Sequence, residues 1–209
     1  MAQGCIAKVG ADFVWRMEDV LYEYARAYDP ARPQVCVDER PCQLLFHSRP
    51  SLPTLPGQVA LYHYEYERHG MCNLFMIFQP HSAWRTTKVT AHGKGPDFAE
   101  LMRELVDVHF PQADAICVVL DNLNIHSPAS LYAAFSPAQA LRILQKLTFH
   151  YTPKHRSWLN MLEIELSILV RQCLRQRIAD IATLQREVTA WQERPIAQHP
   201  TFHWQFSVE

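Results

Sequence analysis

The spacing of apolar residues along the chain predicts five helical regions. The first ends at Asp29-Pro30, and the second begins at Pro96 and carries an apolar stripe that ends at Val108. The fourth takes Ser157 as its N-cap, because a serine side chain at that position accepts a hydrogen bond from the first helical turn. The predicted helical regions are residues 11–28, 96–108, 129–147, 157–178 and 181–191.

Runs of β-prone residues between these helices predict strands. A proline-rich connector, residues 48–57, follows the first strand, and His69-Gly70 marks a turn between the second and third. The first four strands indicate an antiparallel meander, and the later part alternates strand with helix. This order predicts an α/β fold, a mixed sheet flanked by helices. The predicted strands are residues 34–39, 59–66, 72–78, 84–90, 115–120 and 148–151.

Composition supports one globular unit. The chain has 209 residues, and 48% of them are hydrophobic, which is ample for a core. It contains no continuous apolar stretch of the ~18 residues that a membrane span needs and no secretory signal, so we expect a cytoplasmic protein without a membrane partner. Six cysteines without a C-x-x-C pair are expected to be reduced and mostly buried.

Bulk charge gives no indication of the partner, because the net charge is −1 and the pI is about 6.8. Basic residues outnumber acidic ones between Lys146 and Arg186, which fits either a phosphate-contacting surface or a solvated helix face. The eleven histidines lack the spacing of a zinc site, so we expect them to be structural or solvated.

Two aspartates raise the first question of chemistry. Asp38 and Asp121 each end a short apolar strand that is expected to lie in the middle of the sheet. Open α/β sheets bind ligands at such strand ends. A single aspartate at a strand end is more often a turn-former or a helix cap, and this alternative remains open for each of them.

A third acid lies on the helix predicted after Ser157. At 100° per residue, Glu163 falls within the apolar arc of that helix, whereas Glu165 falls outside it. Because a buried carboxylate needs a cationic partner, either an arginine, Arg40 or Arg85, or a divalent cation is expected beside Glu163. Two Mg²⁺ ions roughly 3.5–4 Å apart, held by all three acids, would suit phosphodiester chemistry.

Four sequence blocks carry a resemblance to a known family. VCVDERPCQLL, LPGQ, VVLDNLNIHS and HYTPKHRSWLNMLEIELSIL resemble the catalytic domain of insertion-sequence transposases of the mariner-related group, the DDE superfamily endonucleases. The likeness covers residues 11–206. It implies a ribonuclease-H-like fold in which Asp38, Asp121 and Glu163 are the catalytic acids and bind two Mg²⁺ or Mn²⁺ ions.

The resemblance also suggests residues that orient the acids or contact DNA. Turn formation is an alternative role for the first of them, and filling the core is an alternative for the tryptophan. These candidates are Asn122, His126, Lys154, His155, Arg156, Trp158 and Asn160.

The implied activity is cleavage of DNA at transposon ends followed by strand transfer into target DNA. Two alternatives remain open: a stand-alone metal-dependent nuclease of the same fold, and an inactive relic that only binds DNA or a partner. Relatives carry helix-turn-helix modules, so we expect DNA, a helix-turn-helix subunit from an upstream frame and a second copy as partners. The expected domains are a helical segment, 1–30, a catalytic domain, 31–195, and a tail, 196–209.

Overall fold

A central mixed sheet organises the chain in a computed structural model that describes residues 10–48, 64–82, 84–154 and 157–194. The strand order is β3-β2-β1-β4-β5. The first three strands pair antiparallel, whereas β4 runs parallel to both β1 and β5. The strands are β1 (Gln34–Phe46), β2 (Glu67–Gln79), β3 (Trp84–Thr90), β4 (Ile116–Leu120) and β5 (Leu147–Tyr151).

Helices cover both faces of this sheet. A π-helical turn, Leu105–His109, extends the second helix, and a 3₁₀ turn, Ser157–Leu159, lies ahead of the fifth. The helices are α1 (Ala11–Ala25), α2 (Gly95–Glu104), α3 (Pro128–Ala134), α4 (Pro137–Leu144), α5 (Leu162–Gln172) and α6 (Ile181–Gln192). No helix of the described ranges is long and apolar enough to cross a lipid bilayer.

Alternation along the strands divides the core into two layers. Cys36 and Val119 face α1, α5 and α6, which contribute residues such as Val20 and Leu166 to that layer. Val35 and Val118 face the opposite layer, formed with α2, α3 and α4. The five cysteines of the described ranges are free, as expected.

Antiparallel order is confirmed for the predicted strands 34–39, 72–78 and 84–90, but the paired strands β1 and β2 are longer than expected. β1 continues through Asp38 to Phe46 because β2 pairs with it over that length, so Asp38 lies inside the strand and does not end it. The predicted turn at His69-Gly70 is wrong as well. Gly70 has φ +104° and lies in β2 where the register with β1 shifts, the geometry of a β-bulge. The predicted strand 59–66 lies mostly outside the described residues.

Two predicted helices are shorter than the apolar spacing indicated. α1 ends at Ala25, three residues before the predicted end at Tyr28. The region 129–147 forms two helices, because Pro137 cannot continue α3 and instead begins α4 with Ser136 as its N-cap.

The long helix predicted from Ser157 to Ile178 is also wrong at both ends. The chain first makes the 3₁₀ turn, and α5 begins only at Leu162 with Met161 as its flanking residue. Ser157 is therefore not its N-cap. This later start places Glu163 in the first turn of α5.

Candidate active site

Asp38 lies in β1, and Asp121 directly follows β4, the neighbouring strand that runs parallel to β1. Both residues lie just beyond the last residues that pair these two strands. Cys36 of β1 pairs with Val119 of β4, so Asp38 and Asp121 each follow that last pair by two residues. Beyond this point β1 continues against β2 alone, and β4 ends. Alternation then directs both carboxylates to the face that α1 and α5 cover.

The segment before α5 is fastened to β1 directly beside Asp38. The buried Asn160 donates a hydrogen bond from Nδ2 to the Val37 backbone oxygen at 2.9 Å. Its Oδ1 accepts a hydrogen bond from the Leu162 backbone N–H at 3.1 Å. These contacts hold the first turn of α5, and with it Glu163, against the strand that carries Asp38.

The three acids are close enough to affect one another electrostatically. Asp38 is only 8% exposed. Burial first, and then the charges of Asp121 and Glu163, raise the pKa of its carboxyl to about 7 against the opposing effect of a hydrogen bond from the Glu39 N–H. Among the residues that the structure describes, neither Asp38 nor Glu163 forms an ion pair with a lysine or arginine. The cluster therefore has an excess of negative charge.

The side chain of His126 holds the Asp121 carboxylate in place. Its buried ring bonds Asp121 Oδ1 through Nδ1 at 2.5 Å and contacts Glu39 Oε2 through Nε2. Burial alone would lower the pKa of His126, but the bonds to Asp121 and Glu39 outweigh burial and raise the pKa to about 9. At neutral pH the ring is therefore protonated; it donates to Asp121 from Nδ1, whereas Nε2 makes a close charged contact with Glu39 without hydrogen-bond geometry.

Glu39 is a site residue that the sequence analysis missed. Glu39 follows Asp38 directly. Because successive side chains of a strand point to opposite faces of the sheet, only Asp38 was expected to face the site. The adjacent pair Asp38-Glu39 beside D-N-x-x-x-H was the available signal.

The predicted burial of the two glutamates on α5 is wrong. Glu165 is fully buried, whereas Glu163 lies half-buried at the margin of the apolar arc. Arg85 compensates Glu165: its Nη1 lies 3.0 Å from Glu165 Oε2, and its guanidinium stacks 3.5 Å from the centre of the Trp191 ring. The arginine partner considered for Glu163 therefore belongs to Glu165.

The remaining predicted residues that the structure describes are exposed. Asn122 and Lys154 are exposed. Trp158 is 50% exposed, so it does not fill the core at the helix start. His155 and Arg156 lie outside the described residues.

The donor set at this edge of the sheet fits Mg²⁺ or Mn²⁺. Both ions prefer carboxylate oxygens, and the buried excess of negative charge favours a cation. Within the described part of the chain, the ligand oxygens of the three acids do not all lie within 4.8 Å of one another.

Comparisons with known proteins agree with this architecture. The sequence model of the DDE superfamily endonuclease family matches residues 33–185. No curated protein matches the sequence significantly. Among solved structures, the Mos1 mariner paired end complex with Mn has a TM-score of 0.58 at 13% identity, over 91% of this chain and 58% of that one.

Two further Mos1 structures give similar values. The Mos1 strand transfer complex has a TM-score of 0.55 at 16% identity, over 90% of this chain and 58% of that one. The mariner Mos1 paired end complex with Mg has a TM-score of 0.56 at 15% identity, over 92% and 58%. The chain thus spans about 58% of the length of these proteins. At this identity the likeness concerns the fold, and the predicted ribonuclease-H-like fold is confirmed.

Proposed function

The chain belongs to the DDE superfamily endonucleases, and from this premise we propose that it is the catalytic domain of a transposase. The proposed reaction is metal-dependent cleavage of DNA at transposon ends, followed by transfer of the freed 3′-hydroxyl end into target DNA. Asp38, Asp121 and Glu163 are the proposed catalytic acids and ligands of two Mg²⁺ or Mn²⁺ ions.

One observation carries this proposal. The pKa of Asp38 is raised to about 7 by burial and then by the charges of Asp121 and Glu163. The geometry supports the same interpretation, because Asp38 and Asp121 each follow the Cys36–Val119 pair by two residues, and Asn160, three residues before Glu163, binds the Val37 oxygen. Structural acids are normally paired with a basic side chain, as Glu165 is with Arg85. Asp121 has the His126 ring as its partner, but among the described residues Asp38 and Glu163 have no lysine or arginine partner, and such acids are typical of a site that takes a divalent cation.

Each residue of the cluster has a distinct task in the proposed reaction. Divalent cations, when bound, supply Lewis-acid stabilisation of the charge that develops on the scissile phosphate. Asp38 and Asp121 hold them from the rigid sheet edge, and Glu163 holds them from α5. Rigid supports of this kind keep a reactive geometry within the narrow limits that catalysis requires.

His126 and Asn160 are positioning residues in this proposal. His126 fixes the Asp121 carboxylate through a charged hydrogen bond of 2.5 Å and is itself held by Glu39. Asn160 fixes the distance between α5 and β1. Residues that orient metal ligands in this way affect metal affinity and activity roughly 10- to 100-fold.

DNA is the proposed substrate, and the surface beside Glu163 suits it. Lys154 offers a positive charge to a phosphate, and the exposed ring of Trp158 is available for stacking. His155 and Arg156, which follow Lys154 in the sequence, and the exposed Asn122, which follows Asp121, are further proposed DNA-contacting residues.

The proposed catalytic domain is residues 31–195. In the proposed helical segment, residues 1–30, α1 packs on the sheet through Val20 and Tyr24, and residues 196–209 are the proposed tail. A helix-turn-helix subunit that recognises the terminal repeat and a second copy of this chain are the further proposed partners. The chain's own DNA binding is expected to be weak, salt-sensitive and largely independent of sequence.

A strand-transfer assay tests this function. The full chain is incubated with Mn²⁺, a supercoiled target plasmid and a pre-cut oligonucleotide that carries a transposon end with a free 3′-hydroxyl. Joined products that disappear in an Asp121→Asn variant support the transposase. Nicked plasmid without joined products would instead identify a nuclease, and neither product would identify an inactive relic.

A further inference from the structure

A second cluster of metal-ligating side chains lies apart from the three acids. Glu23 of α1, Cys117 of β4 and His150 of β5 have ligand atoms that all lie within 4.8 Å of one another. All three are buried, with exposed fractions of 6%, 0% and 8%. The cluster joins one helix to two adjacent strands of the sheet, and the proposed reaction does not use it.

The orientation of His150 points to a ligand. Its Nδ1 lies 2.9 Å from Asp19 Oδ2, so this nitrogen is committed to a carboxylate. Its Nε2 is buried, makes no hydrogen bond of ordinary geometry with the described residues, and faces Glu23 Oε1 at 3.9 Å. A histidine whose one nitrogen bonds a carboxylate while the other faces two further donors has the arrangement of a metal-binding imidazole.

Neighbouring arginine side chains also contact the other two donors, Glu23 and Cys117. Arg26 Nη1 lies 2.8 Å from Glu23 Oε2, which leaves Oε1 on the side of His150. Arg26 Nη1 and Arg32 Nη2 lie 3.6 Å and 3.8 Å from Cys117 Sγ. A metal would bind the thiolate form of Cys117.

We propose that Glu23, Cys117 and His150 form a zinc-type metal site that fastens α1 to β4 and β5. The donors are one sulfur, one nitrogen and one oxygen, a set that selects Zn²⁺ over Mg²⁺. Tetrahedral Zn²⁺ needs neighbouring N and O ligands roughly 3.3–3.6 Å apart, so the 3.9 Å between His150 Nε2 and Glu23 Oε1 closes with a small movement. Water completes the coordination.

Binding at this site also has a defined proton balance. The Zn–S bond forms as Cys117 gives its thiol proton to solvent, and a protonated His150 releases its Nε2 proton as the Zn–N bond forms. Asp19 and the two arginines remain as outer partners that orient the ligands. Because Cys117 lies in β4 and Asp121 directly follows that strand, an ion here would stiffen the strand that supports the proposed active site.

Titration of the metal-free full chain with Co²⁺, followed by displacement with Zn²⁺, tests the proposal. Cobalt bound to a thiolate gives an intense near-ultraviolet charge-transfer band, which carboxylates alone cannot produce. We expect this band at one equivalent, its loss on adding Zn²⁺, and a rise in Tm with Zn²⁺. Absence of the band in the unaltered chain overturns the proposal.

Variants identify the ligands. Cys117→Ser and His150→Gln are expected to lose the band and to weaken Zn²⁺ binding at least tenfold, whereas the partly exposed Asp19→Asn weakens binding roughly 10- to 100-fold. Cys173→Ser, at another buried cysteine, retains both. If Cys117→Ser does not fold, His150→Gln and Asp19→Asn decide, and unchanged binding in both overturns the site. An Asp121→Asn, Glu163→Gln double variant must keep the band, which separates this test from that of the transposase function.

Discussion

Asn160 donates a hydrogen bond from Nδ2 to the backbone oxygen of Val37 at 2.9 Å, and so joins the segment before α5 to the strand that carries Asp38. The same side chain accepts from the Leu162 N–H. Residues from two distant parts of the chain are thereby fixed at one point. The account of the active site rests on this junction, because Glu163 follows it by three residues.

Asn160→Ala is expected to reduce metal-dependent DNA nicking roughly 10- to 100-fold, since Glu163 loses its fixed distance from Asp38. The variant also leaves the buried Val37 oxygen without its partner, which costs about 1–3 kcal/mol of unfolding free energy. Plasmid nicking and chemical denaturation measure the two effects. Val188→Ala, a core change on α6, is the control for lost stability. Equal loss of nicking in both variants would contradict a positioning role.

The two glutamates of α5 are expected to respond in opposite ways to neutralisation. Glu165→Gln leaves Arg85 buried without its charge partner and is expected to lower the free energy of unfolding by roughly 3–5 kcal/mol. Glu163→Gln removes one charge from an acidic cluster, so the Tm stays equal or rises while nicking falls to the level without metal. Thermal unfolding and plasmid nicking of both variants check the contrast. A large loss of stability in Glu163→Gln would mean that this residue is structural.

The two glutamates also show which features of the site could not be predicted from the sequence. The apolar spacing placed α5 in the right region, and the strand ends selected Asp121 and Asp38. The helix was expected to begin at Ser157, however. A 3₁₀ turn lies there instead and α5 begins later, so the predicted apolar face of the helix was wrong. Burial of Glu165 depends on Arg85, which lies 80 residues away along the chain. No local pattern contains that information.

Contacts across the sheet account for the other differences. Asp38 was expected to end a strand, but pairing with β2 extends β1 to Phe46. Glu39 enters the site only because His126 of a later loop reaches it. The break between α3 and α4, by contrast, could have been predicted from Pro137. One helix was predicted instead, because apolar residues continue at helical spacing on both sides of this proline.

The metal-free protein is expected to lose stability as the pH rises, because of Asp38. The pKa of this carboxyl is raised from an ordinary 3.8 to about 7 by burial first and by the neighbouring acids second. The folded state therefore holds the proton more tightly than the unfolded state. The resulting stabilisation is complete below the ordinary value and is lost as the pH rises through about 7.

Tm measured against pH in EDTA, in the wild type and in Asp38→Asn, checks this prediction. The variant is expected to lack the decline between about pH 4 and pH 7 that Asp38 causes. Adding Mn²⁺ is expected to raise the wild-type Tm more at pH 8 than at pH 5, since the ion competes with the proton at pH 5. Identical pH profiles of the two proteins would refute the assignment.

Trp158→Ala is expected to weaken DNA binding without changing Tm, because the ring is half exposed and available to a base. Loss of one stacked base costs roughly 1–3 kcal/mol of binding free energy. Fluorescence anisotropy with a labelled oligonucleotide measures the affinity. Trp15→Ala is the matched control, since Trp15 is 51% exposed on α1. A similar loss of affinity in both variants would remove Trp158 from the DNA-contacting surface.

The most direct test of the central claim is an anomalous difference map from a crystal of the full chain soaked in Mn²⁺. The account predicts manganese peaks contacted by carboxylate oxygens of Asp38, Asp121 and Glu163 together, and their loss in an Asp121→Asn, Glu163→Gln variant. Peaks elsewhere only, or side chains of the three acids that point to separate places, would contradict it.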